Sequence, residues 1–257
     1  MTILDNIVAR TRERLLTEPP PDPYAADHAA LNRPPFELTE ALRCDRINII
    51  AEIKSASPSA GTIVDDPDVE EIACYYDQGG AAAVSVVTEP DFFRGSRDWI
   101  ERAAIASMLP VLMKDFIVEE SQLIRGVAAG ASAILLLASL LDAKQIRDFI
   151  RCLDEYSCDA VVEVHDEKEL ERAIRGGARI IGINNRNLRD FSVDLGASER
   201  LAQQIPDGVI RVAESGIKTR ADIDRLRAAG FDAFLIGESL LRQKDRAAAV
   251  RQLVFGS

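Results

Sequence analysis

Residues 159–177 read DAVVEVHDEKELERAIRGG. An apolar, β-branched run opens the stretch, and a charged segment with Leu170, Ala173 and Ile174 at helical spacing follows it. Asp166 stands where a helix would be capped, and the glycine pair 176–177 stands where that helix would end. The stretch predicts one buried parallel strand and the helix that covers it.

The unit recurs. Apolar runs lie at INIIAEIK (47–54), AAAVSVVTE (81–89), PVLMKDF (110–116), ASAILLLA (131–138), ARIIGINN (178–185), GVIRVAES (208–215) and DAFLIGES (232–239), each followed by a charged stretch of helical period. With 159–166 this makes eight βα units. An open doubly wound sheet would carry a G-x-G-x-x-G turn after an early strand, and the chain has none there. The expectation is a (β/α)8 TIM barrel over residues 47–257, forming a single catalytic domain. Residues 1–46 read as an N-terminal helical extension packed on the barrel. Its helix, near residues 3–16, buries Leu4, Ile7, Val8 and Leu15 and stops at the prolines of PPPDP (19–23). The proline pair 34–35 keeps the remainder irregular in this reading.

Composition narrows the function. A chain of 257 residues with 47% hydrophobic and 28% charged residues is an ordinary globular one. Its longest apolar stretch, near AILLLASLL (133–141), stops at Asp142, short of the ~20 residues of a membrane helix. The first twenty residues lack the apolar middle of a secretory signal, so a cytoplasmic protein without membrane contact is expected. A net charge of −11 argues against a nucleic-acid partner. Cys44, Cys74, Cys152 and Cys158 form no C-x-x-C pair and only His28 and His165 are present, so no metal site is expected.

A barrel of this kind carries its active site at the C-terminal ends of its strands. Those ends hold Glu52 and Lys54, then Thr88-Glu89, Lys114-Asp115-Phe116, Glu163-Val164-His165, Asn184-Asn185-Arg186-Asn187, Glu214-Ser215-Gly216 and Gly237-Glu238-Ser239. Taken singly, each reads as a solvated strand terminus. Asp115 and Asp166 read as cap or loop residues, and His165 as a hydrogen-bonded structural histidine, since the sequence shows no partner for it. The convergence of so many polar residues on one end weighs the other way. SASPSAG (55–61), ESGI (214–217) and IGES (236–239) together suggest a cradle for a phosphorylated small molecule.

In order and spacing, EIKSASPSAG, SVVTEPDFFRGS, PVLMKDFI, VEVHDEKELERA, IGINNRNL, VAESGI and LIGESL resemble the motifs of the indole-3-glycerol-phosphate synthase family of tryptophan biosynthesis. The likeness runs from about residue 48 to 242 and extends to the N-terminal helix. It implies ring closure of 1-(2-carboxyphenylamino)-1-deoxyribulose 5-phosphate to indole-3-glycerol phosphate, with loss of carbon dioxide and water and no cofactor. It also implies roles. Lys114 matches the acid at the carbonyl, Glu163 the acid–base group of dehydration, and Lys54 a contact for carboxylate or phosphate that shares in proton transfer. Glu52, Asn184 and Glu214 would orient substrate and lysines. Arg186 would hold the carboxylate, Phe93 and Phe116 the aromatic ring, and Ser57, Ser215, Gly216, Gly237 and Glu238 the phosphate, Glu238 through its backbone.

Ser55 and Met113 stand where the family often has a basic residue, and Ser132 where an Asp is usual. Weaker capture of a dianion is expected if the first two line the mouth. Competing readings are the sister isomerase, which would want a thiol where Lys54 stands, a Schiff-base aldolase built on Lys114, and a noncatalytic sugar-phosphate-binding barrel. A monomer or weak homo-oligomer is expected.

Overall fold

The eight apolar runs are eight strands of one closed barrel. The protein, seen in a computed structural model, is described over residues 2–58, 60–186 and 194–256. Around the barrel run β1 (Asn48–Ile53), β4 (Ala83–Val87), β5 (Val111–Lys114), β6 (Ala133–Leu137), β7 (Asp159–Val164), β8 (Ile180–Asn184), β9 (Ile210–Glu214) and β10 (Ala233–Ile236), which pairs back to β1. Every adjacent pair is parallel. Two short strands, β2 (Ala56–Ser57) and β3 (Gly61–Thr62), form a hairpin in the loop after β1. The covering helices are α4 (Val69–Gln78), α5 (Asp98–Ala106), α6 (Glu120–Ala128), α7 (Ala143–Glu155), α8 (Glu167–Gly176), α9 (Leu195–Ala202), α10 (Arg220–Ala228) and α12 (Arg246–Phe255), with the single turn α11 (Glu238–Leu241) before the last. Asp166 does cap α8, accepting the Glu169 N–H, and Gly177 ends it at φ 84°. No helix among the described residues is long and apolar enough to cross a membrane.

Because side chains alternate along a strand, each strand feeds two cores. Ile49, Val84, Met113, Ile134, Val162, Ile181 and Phe234 face outward and pack with the helices. Ile50, Leu112, Leu135, Val161, Val212 and Leu235 face inward and fill the barrel. The same parity turns Glu52, Lys114, Glu163 and Glu214 inward at the C-terminal end.

The N-terminal segment is more regular than its prolines suggest. After α1 (Ile3–Leu15), the structure has α2 (Pro23–Leu31) and α3 (Glu37–Leu42) where irregular chain was expected. Pro23 is harmless because it occupies the first turn, whose N–H has no helical partner, and Asp22 caps the next two amides. Pro34 and Pro35 precede α3 and interrupt nothing. Leu38 and Leu42 of α3 are buried in the barrel's inner cluster, so α3 closes the end opposite the candidate site. Asp159, at the start of β7, locks it there by accepting the Thr39 N–H at 2.9 Å and hydroxyl at 2.6 Å. Leu38→Ala is expected to cost about 2–5 kcal/mol, read as a lowered urea midpoint. A cost below about 1 kcal/mol would mean that α3 is not a plug.

Candidate active site

Alternate strands β1, β5, β7 and β9 each bring one charged side chain into the top layer of the barrel. Lys114 is the centre. Its ammonium donates to Glu163 Oε2 at 2.9 Å and to Glu214 Oε2 at 2.7 Å. Lys54 pairs with the Glu52 carboxylate beside it. Asn184 Nδ2 donates to the other oxygen of Glu163 at 3.0 Å, and its own carbonyl accepts the Arg186 N–H at 3.0 Å. The intervening strands make room. A Cβ on Gly182 of β8 would lie 2.1 Å from Glu214 Oε1, and one on Gly237, just after β10, would lie 2.5 Å from Glu52 Oε1. No such contact is tolerable.

Burial opposes the charge on Lys114, but the carboxylates of Glu163, Glu214 and Glu52 outweigh it and hold the ammonium above the ordinary lysine pKa. The two glutamates diverge. Burial pushes both upward, yet the charges of Lys114 and His165 and the bond from Asn184 bring Glu163 below the usual carboxylate range. Glu214 stays above that range, because burial and the negative charge of Glu163 prevail over Lys114. The site therefore offers a stably protonated lysine, an ionised carboxylate and a second carboxyl with raised proton affinity. Such a set can donate a proton to one atom and accept one from another.

The pocket above this layer encloses about 520 Å³, and all the candidate site residues named from the sequence line it. Phe93 and Phe116 face each other there, with centroids 5.9 Å apart and planes at 40°. Phe93 is placed by Glu89, whose carboxylate accepts the N–H groups of Asp91, Phe92 and Phe93 at 2.7–3.0 Å. Arg14 of α1 reaches Asp91 at 2.7 Å and Glu89 at 3.7 Å, while Ile3, Leu4 and Ile7 of α1 line the mouth. Ser57 takes the N–H of Ala60 on its hydroxyl, and Ser215 and Gly216 adopt positive φ, 65° and 78°. Asn185 fixes that turn from behind, donating to the carbonyls of Glu214 and Ser215 at 2.7 and 2.8 Å. Asn187 and Leu188 lie outside the described residues.

Several lining residues escaped the reading of the sequence. Lys218 and Arg242 both border the pocket, and Arg242 is held by Glu238 at 2.9 Å. Their positions, two residues after Gly216 and one turn after Glu238, were the available signal. Asp115 is no helix cap: it is buried, accepting the Thr88 hydroxyl at 2.5 Å and the Phe116 N–H at 2.7 Å. The expectation about Ser55 and Met113 is overturned. Ser55 is buried and donates to the Val64 carbonyl, while Met113 points outward to Gly126, where an added Cβ would meet its sulfur. Neither reaches the mouth, so their neutrality removes no charge from it. Ser132 lies at the base of β6, where its hydroxyl donates to Glu37 at 2.7 Å.

A family model described as indole-3-glycerol phosphate synthase matches residues 4–253. Proteins of that name are similar over most of the chain: one from Chlorobium chlorochromatii is 46% identical over 245 residues, covering 93% of this chain and 95% of the relative. Another from Campylobacter jejuni is 40% identical over 257 residues, covering 98% of this chain and all of the relative. A third, from Chlorobium luteolum, is 50% identical over 208 residues, covering 80% of this chain and 79% of the relative. Among solved structures, the thiamine phosphate pyrophosphorylase from Pyrococcus furiosus superposes with TM-score 0.61 at 15% identity, over 80% of this chain and 93% of that one. That likeness speaks for the barrel fold alone.

The packing of Gly182 against Glu214 can be tested without reference to any reaction. Gly182→Ala is expected to cost about 1–3 kcal/mol of stability by overpacking. In a Glu214→Ala background most of that cost disappears, as a double-mutant cycle of urea denaturations would record. An equal cost in both backgrounds would place the clash elsewhere.

Proposed function

The chain belongs to the indole-3-glycerol phosphate synthase family, carboxy-lyases of tryptophan biosynthesis, and we propose that the Lys114 layer carries out the ring closure. The single observation that carries this reading is Lys114 held between Glu163 and Glu214 at the floor of a pocket walled by two phenylalanines.

The substrate, 1-(2-carboxyphenylamino)-1-deoxyribulose 5-phosphate, lays its aromatic ring against Phe93 and Phe116. As the ring carbon bearing the carboxylate attacks the sugar carbonyl, negative charge develops on the carbonyl oxygen. An ammonium with raised pKa gives up its proton only to a strongly basic acceptor, and the nascent alkoxide is one. Lys114 therefore protonates the oxygen as the carbon–carbon bond forms. Lys54 and Arg186 hold the carboxylate until carbon dioxide departs and leaves its electron pair to restore the aromatic ring. In the last stage the new hydroxyl leaves as water with a proton from a lysine, Lys54 sharing this work, and Glu163 takes a proton from the five-membered ring. Glu52, Asn184 and Glu214 orient these groups.

At the far end Ser57, Ser215, Gly216, Gly237 and the backbone at Glu238 hold the phosphate, with Lys218 and Arg242 adding positive charge in a chain of net charge −11. An aldolase that forms an imine needs a neutral amine, which the carboxylates around Lys114 oppose.

The pocket is built from one chain, which supports a monomer or weak homo-oligomer in solution. The four cysteines are free, consistent with a reducing cytoplasmic setting. Sedimentation would test the first, and fractionation the second.

The decisive experiment is fluorescence detection of indole-3-glycerol phosphate from the authentic precursor. Binding without turnover would sink the proposal. Lys114→Ala is expected to lower kcat by about 10²-fold or more while precursor affinity changes little, the pattern of an interaction made in the transition state. A raised KM with unchanged kcat would make Lys114 an anchor only. No metal or organic cofactor enters this scheme, so dialysis against a chelator should leave turnover intact.

A further inference from the structure

The proposed base has a buried neighbour with no part in that scheme. His165 follows Glu163 by two residues at the end of β7 and is not among the residues lining the pocket. Its side chain is 15% exposed. Contrary to the sequence, which showed no partner, two carboxylates bracket it. Nδ1 lies 3.0 Å from Glu169 Oε2, and the His165 backbone N–H donates to that same oxygen at 2.8 Å. Nε2 lies 3.4 Å from Glu163 Oε1 and makes no hydrogen bond among the described residues. Glu169 is fixed in turn, because its backbone N–H donates to the capping Asp166 in the first turn of α8.

This row has a definite proton logic. A carboxylate oxygen that already takes a backbone N–H is an acceptor, so Nδ1 carries the hydrogen toward Glu169. Nε2 then decides the contact with Glu163. Protonated, it attracts Oε1; neutral, it sets a lone pair against an oxygen that also carries lone pairs. Glu163 Oε1 is shared with Asn184, while Oε2 faces Lys114.

We propose that His165 is a positioning residue for Glu163: as an imidazolium held by Glu169, it draws Oε1 back and leaves Oε2 toward Lys114 and the substrate. This rests on the reading of Glu163 as the base. The groups that face the ring support it. Glu163 on β7, Glu169 on α8 and Glu214 on β9 are all acidic, and Lys114 reaches it only through Glu163. Burial pulls the ring toward neutrality, yet the Glu169 bond and the three carboxylates carry its pKa above the ordinary histidine value. The imidazolium is therefore present at neutral pH and is lost as pH rises through that raised pKa. The corresponding loss at Lys114 comes at higher pH still, since its pKa stands above that of an ordinary lysine.

The test is the pH dependence of kcat in wild type, His165→Ala, His165→Gln and Glu163→Gln. Wild type should lose kcat on an alkaline limb lying between the ordinary histidine and lysine values. His165→Ala should lower kcat about tenfold or more with KM within about twofold, and His165→Gln, whose amide donates without titrating, should recover most of kcat and lack that limb. A second measurement needs no turnover: the His165 imidazole, followed by nitrogen NMR, should titrate at lower pH in Glu163→Gln than in wild type. Wild-type kcat and an unchanged limb in His165→Ala would overturn the proposal, as would an imidazole pKa indifferent to Glu163→Gln. If Glu163→Gln keeps wild-type kcat, the assignment of the base fails. If it is inactive while His165→Ala is unaffected, only the role of His165 fails.

Discussion

An ammonium and two carboxylates, Lys114, Glu163 and Glu214, share a nearly dry layer of the barrel, and the geometry around them follows from keeping them compensated. Removing charges from water costs several kcal/mol per ion, repaid only where partners meet at bonding distance. Each of the three comes from a different strand, so a one-residue slip in any of β5, β7 or β9 would turn its charge outward into the helix-facing core. The parallel register is thus tied to chemistry as well as to packing. The apolar layers below, from Ile50 to Leu235, provide the rigidity that holds three strand ends to the required spacing.

Room for these charges comes from what the intervening strands omit. Gly182 and Gly237 lack the one carbon that would collide with Glu214 and Glu52. Behind them, Asn185, Glu89 and Asp115 spend their hydrogen bonds on loop backbone and do not enter the proposed chemistry as reactants. The site is layered: charged groups at the floor, aromatic walls held by Glu89, and a phosphate end whose turn is held by Asn185. Proton affinity follows position, since the carboxylate nearest to extra donors is ionised more readily and the one with an unpartnered buried oxygen less so.

The barrel was legible because apolar runs and charged helices alternate without interruption, and each strand end could be read by parity. The candidate residues followed from that placement and from the resemblance. What stayed hidden depends on contacts between distant segments. The hydrogen-bond partners of His165 lie two and four residues away, yet only the turn into α8 brings Glu169 back to it. Met113 looked like part of the mouth because its neighbour Lys114 is; strand parity assigns it to the opposite face. The N-terminal prolines looked like breaks because the rule against proline applies to helix interiors, and these stand at helix starts.

The first forty-odd residues touch both ends of the barrel, with α1 at the mouth and α3 at the base. The bond from Thr39 to Asp159 spans 120 residues, and that from Asn48 to the Asp232 carbonyl spans 184. On a ribosome delivering chain from the N-terminus, α3 therefore waits with Leu38 and Leu42 exposed until β7 emerges, and β1 waits for β10. The segment translated first is among the last to find its place, and the pocket acquires its α1 wall only once nearly the whole chain has been made.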